Sequence, residues 1–319
     1  MRLNAVVVGL FLLIASPVVA ATVSGLVASI HATLPGAGSN AFVQPSAREI
    51  TAFTAAMRKL FAANAGAAAS QFNALNYDVT TLTDTTNNHT YAVARERGSG
   101  SRGLGTYIVD AAYTRNIILE VPHPIVDTKT DSEGAAMLTA LGARALFIGG
   151  TSRCANRSVA SPCDGTTGVC SSGVGQPFRQ SDAGHFTQTF FQAAHAATLS
   201  LNATVFSIHG NSSAAPDVEI SNGTKISAAS TALVNRLRDA IAAQAINVAS
   251  CNLASDNPAT LNLCGTTNVQ GRMTNGSPDA CGTAASSASG TFIHVEQHLD
   301  VRSEPAALIA AIAAILKRR

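Results

Sequence analysis

Short apolar runs recur along this chain, each followed by a stretch with helical spacing, and that alternation restricts the fold more than any other feature. Residues 117–121 (Ile-Ile-Leu-Glu-Val), 144–148, 203–208 and 291–295 each have the length and side chains of a strand. Helices are expected over residues 47–63, capped by Ser46 with Ile50, Phe53, Met57, Leu60 and Phe61 on one face, and over 133–142, 183–199 and 227–243. A last helix follows Ser303, with Glu304 and Pro305 in its first turn. Strands alternating with helices give an α/β fold: one domain with a mostly parallel, mixed central sheet covered by helices on both faces. Residues 90–95 and 106–111 add strands around the glycine-rich turn 98–103, and 217–220 adds another.

Composition narrows the setting. The 319 residues carry a net charge of +2 with only 13% charged side chains, so neither a nucleic acid nor an acidic surface is an expected partner. Residues 1–20 read as a signal peptide, with Arg2 in front, an apolar core over 6–14 and the small-residue site Val18-Val19-Ala20. The apolar core is too short to span a bilayer, and no membrane association is expected after its removal. A secreted location, extracellular or periplasmic, follows. Residues 21–45 should be irregular and 46–319 should form the domain. The six cysteines fit an oxidising compartment. Cys154, Cys163 and Cys170 form one group and Cys251, Cys264 and Cys281 another, so complete oxidation requires at least one bridge between the two loops.

Chemistry concentrates where strands empty into loops. Pro122 ends the 117–121 strand because it has no N–H for a ladder, which leaves His123 at the strand's carboxyl end. Asp127, Asp131 and Glu133 follow, with Glu133 opening the next helix. The 203–208 strand runs into His209-Gly210-Asn211, and in the last strand alternation puts His294, Glu296 and His298 on one face. Ligands of open α/β sheets bind at such carboxyl ends. Two imidazoles and one carboxylate leave a position free for water on a zinc ion, and Glu296 is placed to exchange a proton with it. Asp182 reads as a helix cap, with His185 near the site and His195 in a packing or surface role. No Gly-x-Ser-x-Gly elbow lies between a strand and a helix, which argues against a serine hydrolase.

This ordered set, from about Thr106 onward, resembles the zinc carboxypeptidase-like superfamily. Its deacylase-type branch, similar to N-formylglutamate amidohydrolases and poly-γ-glutamate hydrolases, is the nearer one. The resemblance implies zinc held by His123, Glu133 and His209, with Asp127 as the alternative acid, and Glu296 as general base. It further implies charge stabilisation by Arg153 and substrate contacts from Asn156, with Asn268 and Arg272 in the second cysteine loop as further candidates. The expected activity is hydrolysis of an amide in a peptide or small molecule: a peptide, an N-acyl amino acid or a γ-glutamyl compound. The competing expectation is a secreted binding or cell-surface module that keeps the fold without the metal.

Overall fold

The computed structural model describes residues 21–98, 101–212 and 216–317. The expected export signal, residues 1–20, lies outside the described residues. The first elements are β1 (Ala21–Val23), α1 (Leu26–His31), α2 (Ala47–Phe61), α3 (Ala65–Asn73), β2 (Tyr77–Asp84), β3 (His89–Glu96), β4 (Thr106–Val109), β5 (Arg115–Val121), α4 (Thr130–Leu141) and β6 (Ala143–Ile148). A two-stranded ribbon, β7 (Thr166–Thr167) with β8 (Gln176–Pro177), comes next. The chain continues through α5 (Phe190–Thr198), β9 (Thr204–Gly210), β10 (Val218–Ser221), α6 (Leu233–Ala242), β11 (Val248–Ser250) and α7 (Val269–Thr274). It closes with β12 (Phe292–Gln297), α8 (Leu299–Ser303) and α9 (Ala306–Ile315).

Ten strands form one mixed sheet in the order β1-β2-β3-β4-β6-β5-β9-β12-β10-β11. Its centre, β6-β5-β9-β12, is parallel throughout, whereas β2-β3-β4-β6 and β12-β10 pair antiparallel. Alternation divides the sheet's side chains between two cores. On one face Phe53 of α2 stacks on Phe190 of α5 at 4.1 Å and meets Phe72, Tyr77 and Tyr107 edge-on. On the other, Ile117, Leu119, Val121, Ile293 and Val295 pack under α4, α6 and α9. The expected single α/β domain with helices on both faces is the observed architecture.

Local chemistry explains most boundaries. The Ser46 hydroxyl accepts from the Glu49 N–H while the Glu49 carboxylate accepts from Ser46 N–H, a reciprocal cap that starts α2 where expected. Residues 21–45 depart from the expectation of irregular chain. The Asp84 carboxylate accepts from the N–H groups of Gly25 and Leu26, tying α1 to the end of β2, with which β1 pairs. The helix expected from residue 183 begins only after Thr189, whose hydroxyl caps Gln192 N–H; the preceding residues are committed to the site described below.

Three disulfides join Cys154–Cys170, Cys163–Cys281 and Cys251–Cys264. The second is the link between the two cysteine loops that the spacing required.

Candidate functional site

Because β5, β9 and β12 are adjacent and parallel, their carboxyl ends meet at one edge of the sheet, and β6 delivers its following loop beside them. His123 stands two residues beyond β5, His209 near the end of β9, and Glu296 near the end of β12 directly opposite His209 in register. The chain leaves β6 through Gly149, where any Cβ would lie 2.3 Å from the Pro122 carbonyl oxygen; only glycine permits this approach. Arg153 follows from that loop. All four side chains are buried or nearly so: His123 0%, His209 2%, Arg153 8% and Glu296 8% exposed.

The loop after β5 brings an acid to the histidines. Asp127 N–H donates to the His123 carbonyl at 2.9 Å, closing one turn, so side chains four residues apart fall on the same side. Asp127 Oδ2 then lies 3.2 Å from His123 Nδ1 and 3.5 Å from His209 Nδ1. Burial pushes the Asp127 carboxyl up, but the His123, His209 and Arg153 side chains outweigh it and hold the group well below the usual carboxylate range. Burial drives His209 down to about 4, so its imidazole is neutral at physiological pH.

Asp182 is the hub that the sequence reading missed. Its Oδ1 lies 2.8 Å from His123 Nε2 and 2.9 Å from His185 Nδ1, and its Oδ2 accepts from Arg153 Nε at 2.9 Å. Burial opposes its ionisation, but Arg153, His185 and His123 together keep it far below the ordinary range. It accepts the Gly184 N–H as a turn would, yet caps no helix, which corrects the expected role. Both His123 nitrogens face carboxylates, Nε2 towards Asp182 and Nδ1 towards Asp127, and Arg153 Nη1 lies 3.2 Å from Nδ1. Burial and Arg153 pull the ring's pKa down, but Asp182 and Asp127 outweigh them and raise it. His185 stacks on Phe178 at 3.7 Å. Its proximity to Asp182 was legible only as a one-turn spacing.

The other expected residues divide clearly. Glu133 is not brought to the histidines. Helix α4 starts at Thr130, so Glu133 lies inside its first turn on the opposite face of the sheet, where its Oε2 accepts from Gln297 Nε2 at 3.0 Å. Burial lifts its carboxyl to about 8, against weaker opposing effects of Gln297 and Arg302. Asp127, the alternative acid, is the one beside both imidazoles. Arg272 is buried in an ion pair with Asp164 and donates to the carbonyls of Thr266 and Cys281. Asn268 caps α7 through Gly271 N–H, and Asn156 Nδ2 donates to the Phe42 carbonyl at 2.6 Å. These three hold loops together and do not line the cleft. His298 leaves the strand face to precede α8. His195 is fully buried, its Nδ1 2.7 Å from Glu120 Oε1 and its Nε2 2.8 Å from Thr274 Oγ1.

An open cleft of about 650 Å³ leads to the site, lined by Asp127, Arg153, His185, His209, His294 and Glu296, with Phe178, Val169 and Leu263 among its apolar walls. Glu296 is pushed well above the ordinary carboxyl range, first by burial and then by Asp127, against the pull of Arg153.

The donor set suits a zinc-like cation. In a tetrahedron with metal–ligand distances near 2.05 Å, ligand atoms stand about 3.3 Å apart. The two separations at Asp127 Oδ2 bracket that value, and the ligand atoms of His123, Asp127 and His209 all lie within 4.8 Å of one another. Asp182 on the far nitrogen of His123 is the carboxylate support that metal-binding imidazoles characteristically have.

No protein-family model matches the chain, and no curated protein does. Among solved structures it is similar to a "putative carboxypeptidase" of Burkholderia mallei ATCC 23344, with 10% identity and a TM-score of 0.34 over 77% of this chain and 66% of that one. It is also similar to a "putative carboxypeptidase A" of Shewanella denitrificans OS-217, with 11% identity and a TM-score of 0.31 over 77% of this chain. The chain spans 66% and 65% of the lengths of these two proteins.

Proposed function

We propose that this chain is an exported, zinc-dependent hydrolase of an amide bond in a peptide, N-acyl amino acid or γ-glutamyl compound. One observation carries the reading. Two imidazoles, the fully buried His123 and the cleft-lining His209, converge with the Asp127 carboxylate at ion-binding separations, beside Glu296 and Arg153. Three disulfides are consistent with export to an oxidising compartment.

His123, Asp127 and His209 would hold a zinc ion, which would supply Lewis-acid chemistry there. The protein's own groups do the rest. Asp182 fixes the His123 ring and its tautomer, and burial keeps the His209 lone pair free of a proton. Glu296, with its elevated proton affinity, would take the proton of the water whose oxygen bonds to the amide carbon and return it to the nitrogen as the C–N bond breaks, leaving an acid and an amine. Arg153 is kept cationic by Asp182 and Asp127 despite burial, and opposes negative charge that develops on the substrate carbonyl. Phe178, Val169 and Leu263 form apolar walls of the cleft around the reacting groups.

The test combines metal analysis with a substrate panel of acylated amino acids and peptides. His123→Ala and His209→Ala should lose the ion held between His123, Asp127 and His209 together with hydrolysis, whereas Glu296→Gln should keep that ion and lose hydrolysis. Hydrolysis that survives Glu296→Gln reassigns the base, and hydrolysis that survives complete chelation removes the metal. A chain that binds no ion and cleaves nothing favours the non-catalytic binding module.

A further inference from the structure

His294 is the imidazole that the proposed reaction leaves unused. Alternation along β12 puts it on the same sheet face as Glu296, and the register sets His294 opposite Ser207 and Glu296 opposite His209 on β9. Both residues are buried, with side-chain exposures of 4% for His294 and 11% for Glu296. Among the described residues, no hydrogen bond reaches the His294 ring or the Glu296 carboxyl. His294 Nδ1 is buried without a partner, and Nε2 stands 3.8 Å from Glu296 Oε1, beyond hydrogen-bond reach. Buried polar groups are nearly always bonded, so the unpartnered His294 nitrogen, on a ring that lines the cleft beside Glu296, asks for a ligand.

The third member is already in place. The His209 ring centre lies 4.5 Å from that of His294, and ligand atoms of His209, His294 and Glu296 all fall within 4.8 Å of one another. Two imidazoles and a carboxylate form a donor set for borderline divalent ions and a poor one for calcium or magnesium.

We propose that His294, Glu296 and His209 form a second divalent-cation position, for zinc, cobalt or nickel, beside the one at His123, Asp127 and His209. His209 is common to both. A neutral imidazole has one free lone pair. With the first position filled, the second ion rests mainly on His294 and Glu296 and binds more weakly. An ion there engages the Glu296 carboxylate, so excess cation opposes its use as a base.

The experiment is a zinc titration of the chelator-stripped protein, followed by equilibrium dialysis with elemental analysis and, with cobalt, by the visible spectrum. Two equivalents are expected in the wild type, the second at least tenfold weaker. His294→Ala should bind one, His123→Ala should retain one at the second position, and the double variant should bind none. His294→Asn, which keeps a polar side chain, should behave as His294→Ala and guards against a packing artefact. Two equivalents in His294→Ala, or a single wild-type equivalent that persists in it, overturns this position and leaves the proposed hydrolase standing. A single equivalent lost in His294→Ala but kept in His123→Ala supports this position and removes the first.

Discussion

Glu133→Gln separates two accounts of the acid that accompanies the histidines. In the structure Glu133 is 1% exposed, with one oxygen accepting from Gln297 and the other unpartnered, and its carboxyl is lifted to about 8 from an ordinary 4.5. The folded chain therefore binds a proton here over the window from about 4.5 to 8 in which the unfolded chain has released it, so stability falls as pH rises through that window. Each unit is worth about 1.4 kcal/mol, so the whole span is on the order of 5 kcal/mol, fully developed above pH 8. Glutamine keeps the shape and an acceptor for Gln297 but cannot ionise. Guanidinium unfolding at pH 5 and pH 9, with disulfides intact and chelator present, should show the variant's advantage over wild type growing by about 4 kcal/mol at the higher pH. Zinc content should be unchanged. Parallel pH dependence in the two proteins refutes the buried, protonated carboxyl, and loss of zinc in Glu133→Gln restores Glu133 as a ligand in place of Asp127.

Asp182→Asn removes the charge that orients His123, and zinc affinity measured by chelator competition should fall about 10–100-fold; unchanged affinity would show that other contacts fix the ring. His195→Phe leaves the fully buried Glu120 without its imidazole and should cost about 3–5 kcal/mol in chemical denaturation, and a loss below about 1 kcal/mol would refute a stabilising Glu120–His195 pair. Replacing Cys163 and Cys281 by serine opens a link between residues 118 apart and should lower stability by about 4 kcal/mol, while peptide mapping without reduction should recover the three pairs named above.

What could be read from sequence was what local chemistry decides. The Ser46–Glu49 cap and the apolar stripe of α2 act within a turn or two. The apolar runs before His123, His209 and Glu296 announce buried parallel strands, whose carboxyl ends must then lie together. The hub role of Asp182 was illegible because Arg153 and His123 meet it only in three dimensions, and with Gly184 two residues on it reads as an ordinary cap. Glu133 stands apart from the histidines for a geometric reason. Lys129 takes a left-handed conformation with φ 75°, which turns the chain so that α4 starts at Thr130 and leaves Glu133 facing Gln297, away from the histidines. β2 escaped notice because Thr80, Thr81 and Thr83 dilute its alternation, and its place is secured by pairing with β3 over all eight residues. Arg272 has the side chain for a substrate carboxylate, but Asp164 already occupies it.

The position of β12 has a consequence for how the molecule is made. Its neighbours β9 and β10 precede it in the chain, and it slots between them. A nascent polypeptide that has not yet delivered residues 292–297 holds two apolar strands with bare backbone edges flanking a gap. Such edges attract strands from other molecules. Premature termination just upstream should therefore yield a sticky, self-associating fragment, because the last strand of the sheet to be synthesised is the one that seals it.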